Sequence, residues 1–299
     1  MRLVLGLLVV LFTLGGCASH LGAPSRQASP GWPDDADVVL REDLRYSPDD
    51  WPEPLQADVY LPDTPGLRPA VLVVHGGGWE GRSRTDMAAV AERLASHGFV
   101  AINVDYRFAP EYRFPARIQD LQQAMHWIHR HAEPWRIDTS RIAGVGYSSG
   151  AHSVSLLALI AGQGGELDRP YGGDDTRLEA VVAGGTPTDL MKFDDGRLVK
   201  QLLGGTRAQV PDRYRLASPV NHVHPGAPPF FLFHGGWDSL VPLDHAEDFY
   251  AKLKAQGVDS ELYVQRLRGH ITAFLTRTGA MDAATDFLER QLAPRIKAP

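Results

Sequence analysis

The chain is poor in cysteine: Cys17 is its only thiol in 299 residues, so no disulfide can form within it. It has no concentrated basic stripe either. Lys and Arg number 30 against 36 Asp and Glu, a formal net charge of −6, so nucleic acid is not an expected partner. Internal repeats and low-complexity tracts are absent, which argues against solenoids, propellers and disordered scaffolds. The longest apolar run, Leu3 to Leu14, is shorter than the roughly 20 residues of an ordinary membrane-spanning helix. What remains, 43% hydrophobic and 22% charged residues, suits a globular enzyme with a well-buried core.

The N-terminus has its own character. Arg2 precedes the apolar run, which suits the hydrophobic region of an export signal, and the run ends in Leu14-Gly15-Gly16-Cys17. Small residues before a lone cysteine resemble the bacterial lipobox. The expectation is therefore a signal peptide over 1–16 and lipidation of Cys17, giving an exported protein anchored to the cell envelope. Residues 17–36, rich in Ser, Pro and Gly, read as a flexible tether, and 37–299 as one catalytic domain.

From residue 37 short apolar runs alternate with longer amphipathic stretches. "DVVLREDLRY" and "LQADVYLP" read as antiparallel strands at a sheet edge. "AVLVVH", "FVAINVDY", "RIAGVGY", "LEAVVAGG", "PFFLFHG" and "SELYVQRL" read as buried strands, with helical patterns between most of them. This rhythm predicts an α/β fold: a doubly wound, mostly parallel sheet with helices on both faces. Residues 186–228, with several prolines and Gly204-Gly205, break the rhythm and read as an insertion, a small lid.

Three loops carry the chemistry. Gly146-Tyr147-Ser148-Ser149-Gly150 fits G-x-S-x-G between a strand and a helix, where a sharp turn needs small neighbours and exposes the central serine, Ser148. A glycine-rich packing turn is the alternative for this stretch alone. His75-Gly76-Gly77-Gly78-Trp79 follows a buried strand, where glycines let backbone N–H groups approach a developing oxyanion. Gly76, Gly78 and Gly81 also obey the spacing of a dinucleotide loop. No Walker-type lysine follows, however, and Asp105 stands at a long distance for the acidic partner. Serine needs a base, and the base needs an orienting carboxylate. His270 follows the last expected strand and Asp238 the strand before it, so Ser148, Asp238 and His270 all fall at strand carboxyl ends, where open α/β sheets bind ligands. Asp189, Asp195 and Asp244 are rival acids, Asp244 reading as a helix cap. His126, His129 and His131 lie on one helix without matching carboxylates or cysteines and read as a solvated face, not a metal site. His152 reads as packing or lining the entrance, His234 as structural, and His222 and His224 as loop surface within reach of a substrate.

"HGGGW", "DYRFAPEYRFP", "GYSSGAH", "GGWDSLVP" and "GHITAF", in this order, resemble the serine esterases of the α/β-hydrolase superfamily over roughly residues 38 to 293. The likeness is to the hormone-sensitive-lipase-like carboxylesterases and to acetyl and feruloyl esterases. It implies a carboxylic ester hydrolase acting on short-acyl or aryl esters, with no metal or organic cofactor. Ser148 would be nucleophile, His270 base and then acid, Asp238 the orienter, and the N–H groups of Gly77, Gly78 and Ser149 the oxyanion donors. Asp105, Tyr106 and Arg107 would brace the site. The strands and prolines of 37–69 replace the helical cap usual before HGGG, which favours the compact acetyl and feruloyl branch. A serine peptidase or amidase on the same fold, and a non-catalytic surface lipoprotein, are the competing expectations.

Overall fold

The computed structural model describes residues 18–24, 31–193 and 196–294. The strands are β1 (Ala18–Leu21), β2 (Val38–Arg45), β3 (Gln56–Pro62), β4 (Arg68–Val74), β5 (Val100–Val104), β6 (Ile137–Tyr147), β7 (Ala180–Gly184), β8 (Phe230–Gly235) and β9 (Ser260–Gln265). They form one sheet in the order β1-β9-β8-β7-β6-β4-β5-β3-β2. The run from β5 to β9 is parallel, whereas β1, β2 and β3 pair antiparallel at the two edges.

Alternation along the strands sorts side chains onto two faces. Ala70, Leu72 and Val74 of β4 join one core, with α2 (Ala116–Arg130), α3 (Ser149–Ile160) and α6 (Asp244–Ala255). Val71 and Val73 join the other, under α1 (Ala88–Ser96) and α8 (Thr278–Gln291). β4 is flanked by β5 on one side and β6 on the other. The winding reverses there, which opens a crevice beyond the carboxyl ends of β4 and β6.

The insertion over 186–228 is built, not loose. It contains α4 (Arg197–Leu203) and α5 (Pro211–Leu216), and Leu190, Leu202 and Tyr214 pack with Trp79, Phe114 and Ile118 in a third small core. Short helices in a proline-rich stretch leave weak periodicity, so their tertiary contacts hold them.

Two expectations need correction. The tether expected over 17–36 is strand at Ala18–Leu21, which pairs with β9 and is pinned by His20 Nε2 facing Glu261 at 2.8 Å. Trp32 stacks on Phe99 at 4.8 Å, and Ala36 N–H donates to Ser96, so 31–36 lies along α1. Cys17, with the rest of the expected signal region and its lipidation site, lies outside the described residues. The second correction concerns the face with His126, His129 and His131. It is half-buried, since the His126 ring donates to the Tyr171 carbonyl and His131 stacks on Trp135 and meets Trp127 at a tilt. Among the described residues no group of three His, Cys, Asp or Glu side chains could hold a metal ion.

Buried histidines tie the insertion to helices α3 and α6. His152 Nε2 donates to the Ala217 carbonyl at 2.7 Å, and its Nδ1 accepts from Trp79 Nε1 at 3.3 Å, a pattern that requires a neutral ring. Burial lowers its pKa to about 3, against a partial opposing effect of the Ala217 bond. His245, stacked on Phe193 and accepting from the Asp189 N–H, is lowered by burial to about 4. Both folded values lie below the unfolded one, so only the unfolded chain takes up these protons as pH falls from about 6.5 to 4. Each histidine should then remove about 1.4 kcal/mol of stability per pH unit. The urea midpoint should drop steeply between pH 6.5 and 4.5, and His152→Gln should flatten that slope; parallel slopes would contradict this assignment.

Candidate active site

The site is assembled from turns at the carboxyl ends of β4, β6, β8 and β9. Ser148 sits between β6 and α3 with φ 52° and ψ −121°, a strained turn that lifts its side chain out of the sheet. Its N–H donates to the Gly184 carbonyl at 2.7 Å, and its own carbonyl accepts from His152 N–H at 2.9 Å. Both motif glycines are sterically required. A Cβ on Gly146 would lie 2.6 Å from Ala151 N, and one on Gly150 would lie 2.2 Å from the Val74 carbonyl oxygen.

The glycine loop after β4 crosses beside this turn, with Gly76 packed against Tyr147 and Ser148. Gly77 and Gly78 take φ of +125° and +63°, which turns the chain so that the loop borders the cleft. Ser149 opens α3, so its N–H lies outside the helical hydrogen-bond ladder, at the positive end of the helix dipole. The Ser149 side chain is buried, 3.3 Å from the Tyr106 hydroxyl, which also donates to the His75 carbonyl.

His270 begins α7 (His270–Leu275) and Asp238 follows β8. His270 Nε2 is 2.9 Å from Ser148 Oγ, and Nδ1 is 2.6 Å from Asp238 Oδ2. Asp238 Oδ1 accepts from the N–H groups of Leu240 and Val241 at 3.0 and 2.8 Å. Burial pushes the Asp238 carboxyl upward, but the hydrogen bond and charge of His270 and the Val241 N–H more than offset it. Its pKa is thus held below the usual carboxylate range, and it remains ionised at neutral pH. Tyr147 donates to the His270 carbonyl and holds that residue's backbone in place.

The structure therefore brings together all six side chains and loop positions singled out for chemistry, while the rival acids Asp189 and Asp244 engage other partners. Asp189 caps a short turn at Met191, and Asp244 pairs with Lys192 at 2.9 Å without making a cap hydrogen bond. Asp195 lies outside the described residues. His222 donates to the Leu216 carbonyl and His224 Nδ1 accepts from Gly226, and neither lines the cleft.

Residues around the cleft support this arrangement, some of them not visible in the sequence. His234 Nε2 donates to the Val241 carbonyl at 2.8 Å and stands 3.4 Å from Asp238 Oδ2, so it shapes the turn holding that carboxylate. Its signal was the separation of four residues, from His234 at the strand end to Asp238 beyond the glycines. Asp105 pairs with Arg84, which also meets Asp43 and Asp58, and Arg107 pairs with Asp120 at 2.7 Å, so "DYR" braces the site as the resemblance implies. Leu198 of α4 leans over Gly78, close enough that a Cβ there would meet it at 2.9 Å. The resulting cleft is about 950 Å³, and Phe193, Leu198, Val241, Ile271 and Leu275 give it an apolar wall.

The chain is 33% identical over 197 residues to Esterase LipC of Mycobacterium tuberculosis, covering 62% of this chain and 48% of that one. It is 29% identical over 211 residues to Probable carboxylic ester hydrolase LipM of the same organism, covering 68% of this chain and 49% of that one. It thus spans about half the length of these relatives. Among solved structures, a carbohydrate esterase from gut microbiota superposes with a TM-score of 0.78 at 23% identity, covering 87% of this chain and 99% of that one. Esterase 2 of Thermogutta terrifontis superposes at 0.69 and 23%, covering 90% and 98%. The shared architecture is the α/β-hydrolase fold. The BD-FAE family model matches residues 57–253, which include the glycine loop, the Ser148 turn and Asp238. This chain belongs to the BD-FAE family.

Proposed function

We propose that the protein is a serine carboxylesterase that hydrolyses short-acyl or aryl esters through an acyl-enzyme on Ser148. The observation that carries this reading is the continuous line Asp238–His270–Ser148, with contacts of 2.6 and 2.9 Å. Ser148 Oγ attacks the ester carbonyl carbon while His270 Nε2 takes the hydroxyl proton. The carbonyl oxygen becomes an oxyanion, and the N–H groups of Gly77, Gly78 and Ser149 stabilise it, an effect of about 3 kcal/mol per donor in comparable sites. As the intermediate collapses, the ester C–O bond breaks and the leaving alkoxide takes the proton from His270. Water then attacks the acyl-enzyme by the same route, and Ser148 recovers its proton. Ionised Asp238 holds the Nδ1–H tautomer and balances the imidazolium.

The apolar wall and the nearness of Leu198 to Gly78 favour small acyl groups beside the oxyanion donors. The relatives named as esterases, and the carbohydrate esterase that shares the fold, support ester chemistry. On the same footing, Cys17 is the proposed lipid attachment site of an exported, envelope-anchored enzyme, a reading supported by the Leu14–Cys17 sequence.

Matched p-nitrophenyl acetate, p-nitrophenyl decanoate and an aminoacyl p-nitroanilide separate the readings. The acetate should turn over fastest and the anilide at least about 100-fold more slowly, because an amine leaving group demands more of the His270 proton. Faster turnover of the anilide would replace this reading with a peptidase.

A further inference from the structure

We propose that the rim of the cleft is a membrane-docking surface, and that the enzyme works with its active-site mouth against the lipid headgroups. The proposal rests on the reading of Cys17 as a lipid attachment site and adds the orientation in which the domain is held.

Large apolar side chains are not scattered evenly over this molecule. Among the described residues nine are exposed, and five of them, Trp237, Leu240, Leu267, Ile271 and Leu275, lie in the loop that carries Asp238 or in the turn and helix α7 that carry His270. These five are 53–69% exposed. Gly236 N–H donates to Gln265 and Trp237 N–H to Arg268, both at 2.9 Å, so the loops form one stitched platform and not two independent flaps. Leu240, Ile271 and Leu275 also line the cleft, which makes the platform continuous with its mouth. A contiguous apolar rim of this kind marks an interaction surface.

The unpaired charge on the platform is cationic. Arg266, Arg268 and Arg277 lie within 236–243 and 266–281, whose one carboxylate, Asp238, is buried against His270, and the carboxylates just beyond, Asp244 and Asp282, are paired with Lys192 and Arg93. In a chain of net charge −6, this is a local reversal. Arg266 and Arg268 flank Leu267, a pattern that places cations at phosphate level while the apolar side chain enters the headgroup layer.

The path of the chain selects a membrane as the occupant. β1 runs antiparallel to β9, and Ala18 pairs with Gln265, which pairs in turn with Gly235. The N-terminal end of β1 therefore emerges at the carboxyl ends of the parallel strands, the same end as Ser148, Asp238 and His270. Two inter-strand spacings put Ala18 about 10 Å from Gly235, at the edge of the platform. Cys17 is the residue before Ala18, and the apolar run Leu3–Leu14 lies just upstream. Among the described residues no helix is long and apolar enough to cross a membrane. An anchor at Cys17 leaves the domain beside its own apolar rim. Stable membrane binding commonly combines a lipid chain with a second signal, and the platform supplies one. Esters held at the lipid surface would then reach Ser148 without crossing bulk water.

The test uses the full chain in vesicles of phosphatidylethanolamine and phosphatidylglycerol. Leu267→Cys and, at the opposite end of the sheet, Leu67→Cys are labelled with a polarity-sensitive maleimide fluorophore. Lipids carrying quenchers on their acyl chains should blue-shift and extinguish most of the emission at position 267 and leave position 67 unchanged. Equal, unquenched emission at both sites overturns the proposal, as does emission at 267 that responds only to protein density, which would mark a second copy as the occupant. The native chain serves as control, because lipidated Cys17 has no free thiol. Labelling of the native chain would overturn the anchor and the docking together; unlabelled native chain with unquenched 267 overturns the docking alone. Turnover of p-nitrophenyl acetate by the same vesicles reports the esterase reading separately.

Discussion

Ser148→Ala is expected to lower kcat on p-nitrophenyl acetate by about 10⁵- to 10⁶-fold with little change in KM. Alanine keeps the cleft wall and the N–H groups of Gly77, Gly78 and Ser149, so substrate still binds. What disappears is the only oxygen within hydrogen-bond reach of His270 Nε2 in the described site. Residual turnover would come from the oxyanion donors and binding alone. The same position offers a check on the backbone. At φ 52° a side chain is strained, so Ser148→Gly should be inactive yet more stable than Ser148→Ala by about 1 kcal/mol. An alanine variant with a few per cent of native activity would remove Ser148 from its proposed role.

Gly150→Ala should be among the most damaging single-methyl additions in the chain. The added Cβ would fall 2.2 Å from the Val74 oxygen and 2.4 Å from the His75 oxygen, both of them backbone atoms with no rotamer to escape into. Helix α3 would have to move away from β4, separating the Ser148 turn from the glycine loop. A loss of about 4 kcal/mol or more is expected, in the class of severe overpacking at a backbone contact. Gly165→Ala is the matched control, exposed and with no atom within 4 Å of its added Cβ, and should change stability by less than about 0.5 kcal/mol. Urea denaturation of the two variants decides this, and a Gly150→Ala protein as stable as the control would mean that helix and strand do not touch as described.

The parallel core and the three loops were legible because their signals are local. β4, β5, β7, β8 and the second half of β6 are short apolar runs buried on both faces, and each proposed catalytic residue stands shortly past the end of a strand. The edge strand β1 was not legible. "ASHL" is short, has no apolar alternation, and owes its conformation to β9, some 240 residues away. Helices α4 and α5 were hidden for a similar reason, since Tyr214 and Leu202 are held by Trp79, Phe114 and Ile118 from distant parts of the chain. His131 is half-buried because Trp127 and Trp135, four residues to either side, pack on its ring. His234 reads as structural in the sequence because it precedes Gly235, but its place beside Asp238 depends on the turn geometry of 235–238.

Glu80 and Arg197 form an ion pair across the mouth of the cleft, joining the loop after β4 to the start of α4. Arg197 is largely in water and Glu80 lies partly exposed at the rim, so the pair contributes little to stability. Its place matters more, because it ties the insertion carrying Leu198 to the loop carrying Gly77 and Gly78.

The central claim is that Ser148 is the nucleophile. The most direct measurement treats the native protein with a fluorophosphonate and locates the adduct by peptide mass spectrometry. The account predicts one phosphonylated residue, Ser148, with loss of ester hydrolysis in step with its modification. An adduct on any other residue, or full loss of activity with Ser148 unmodified, would contradict it.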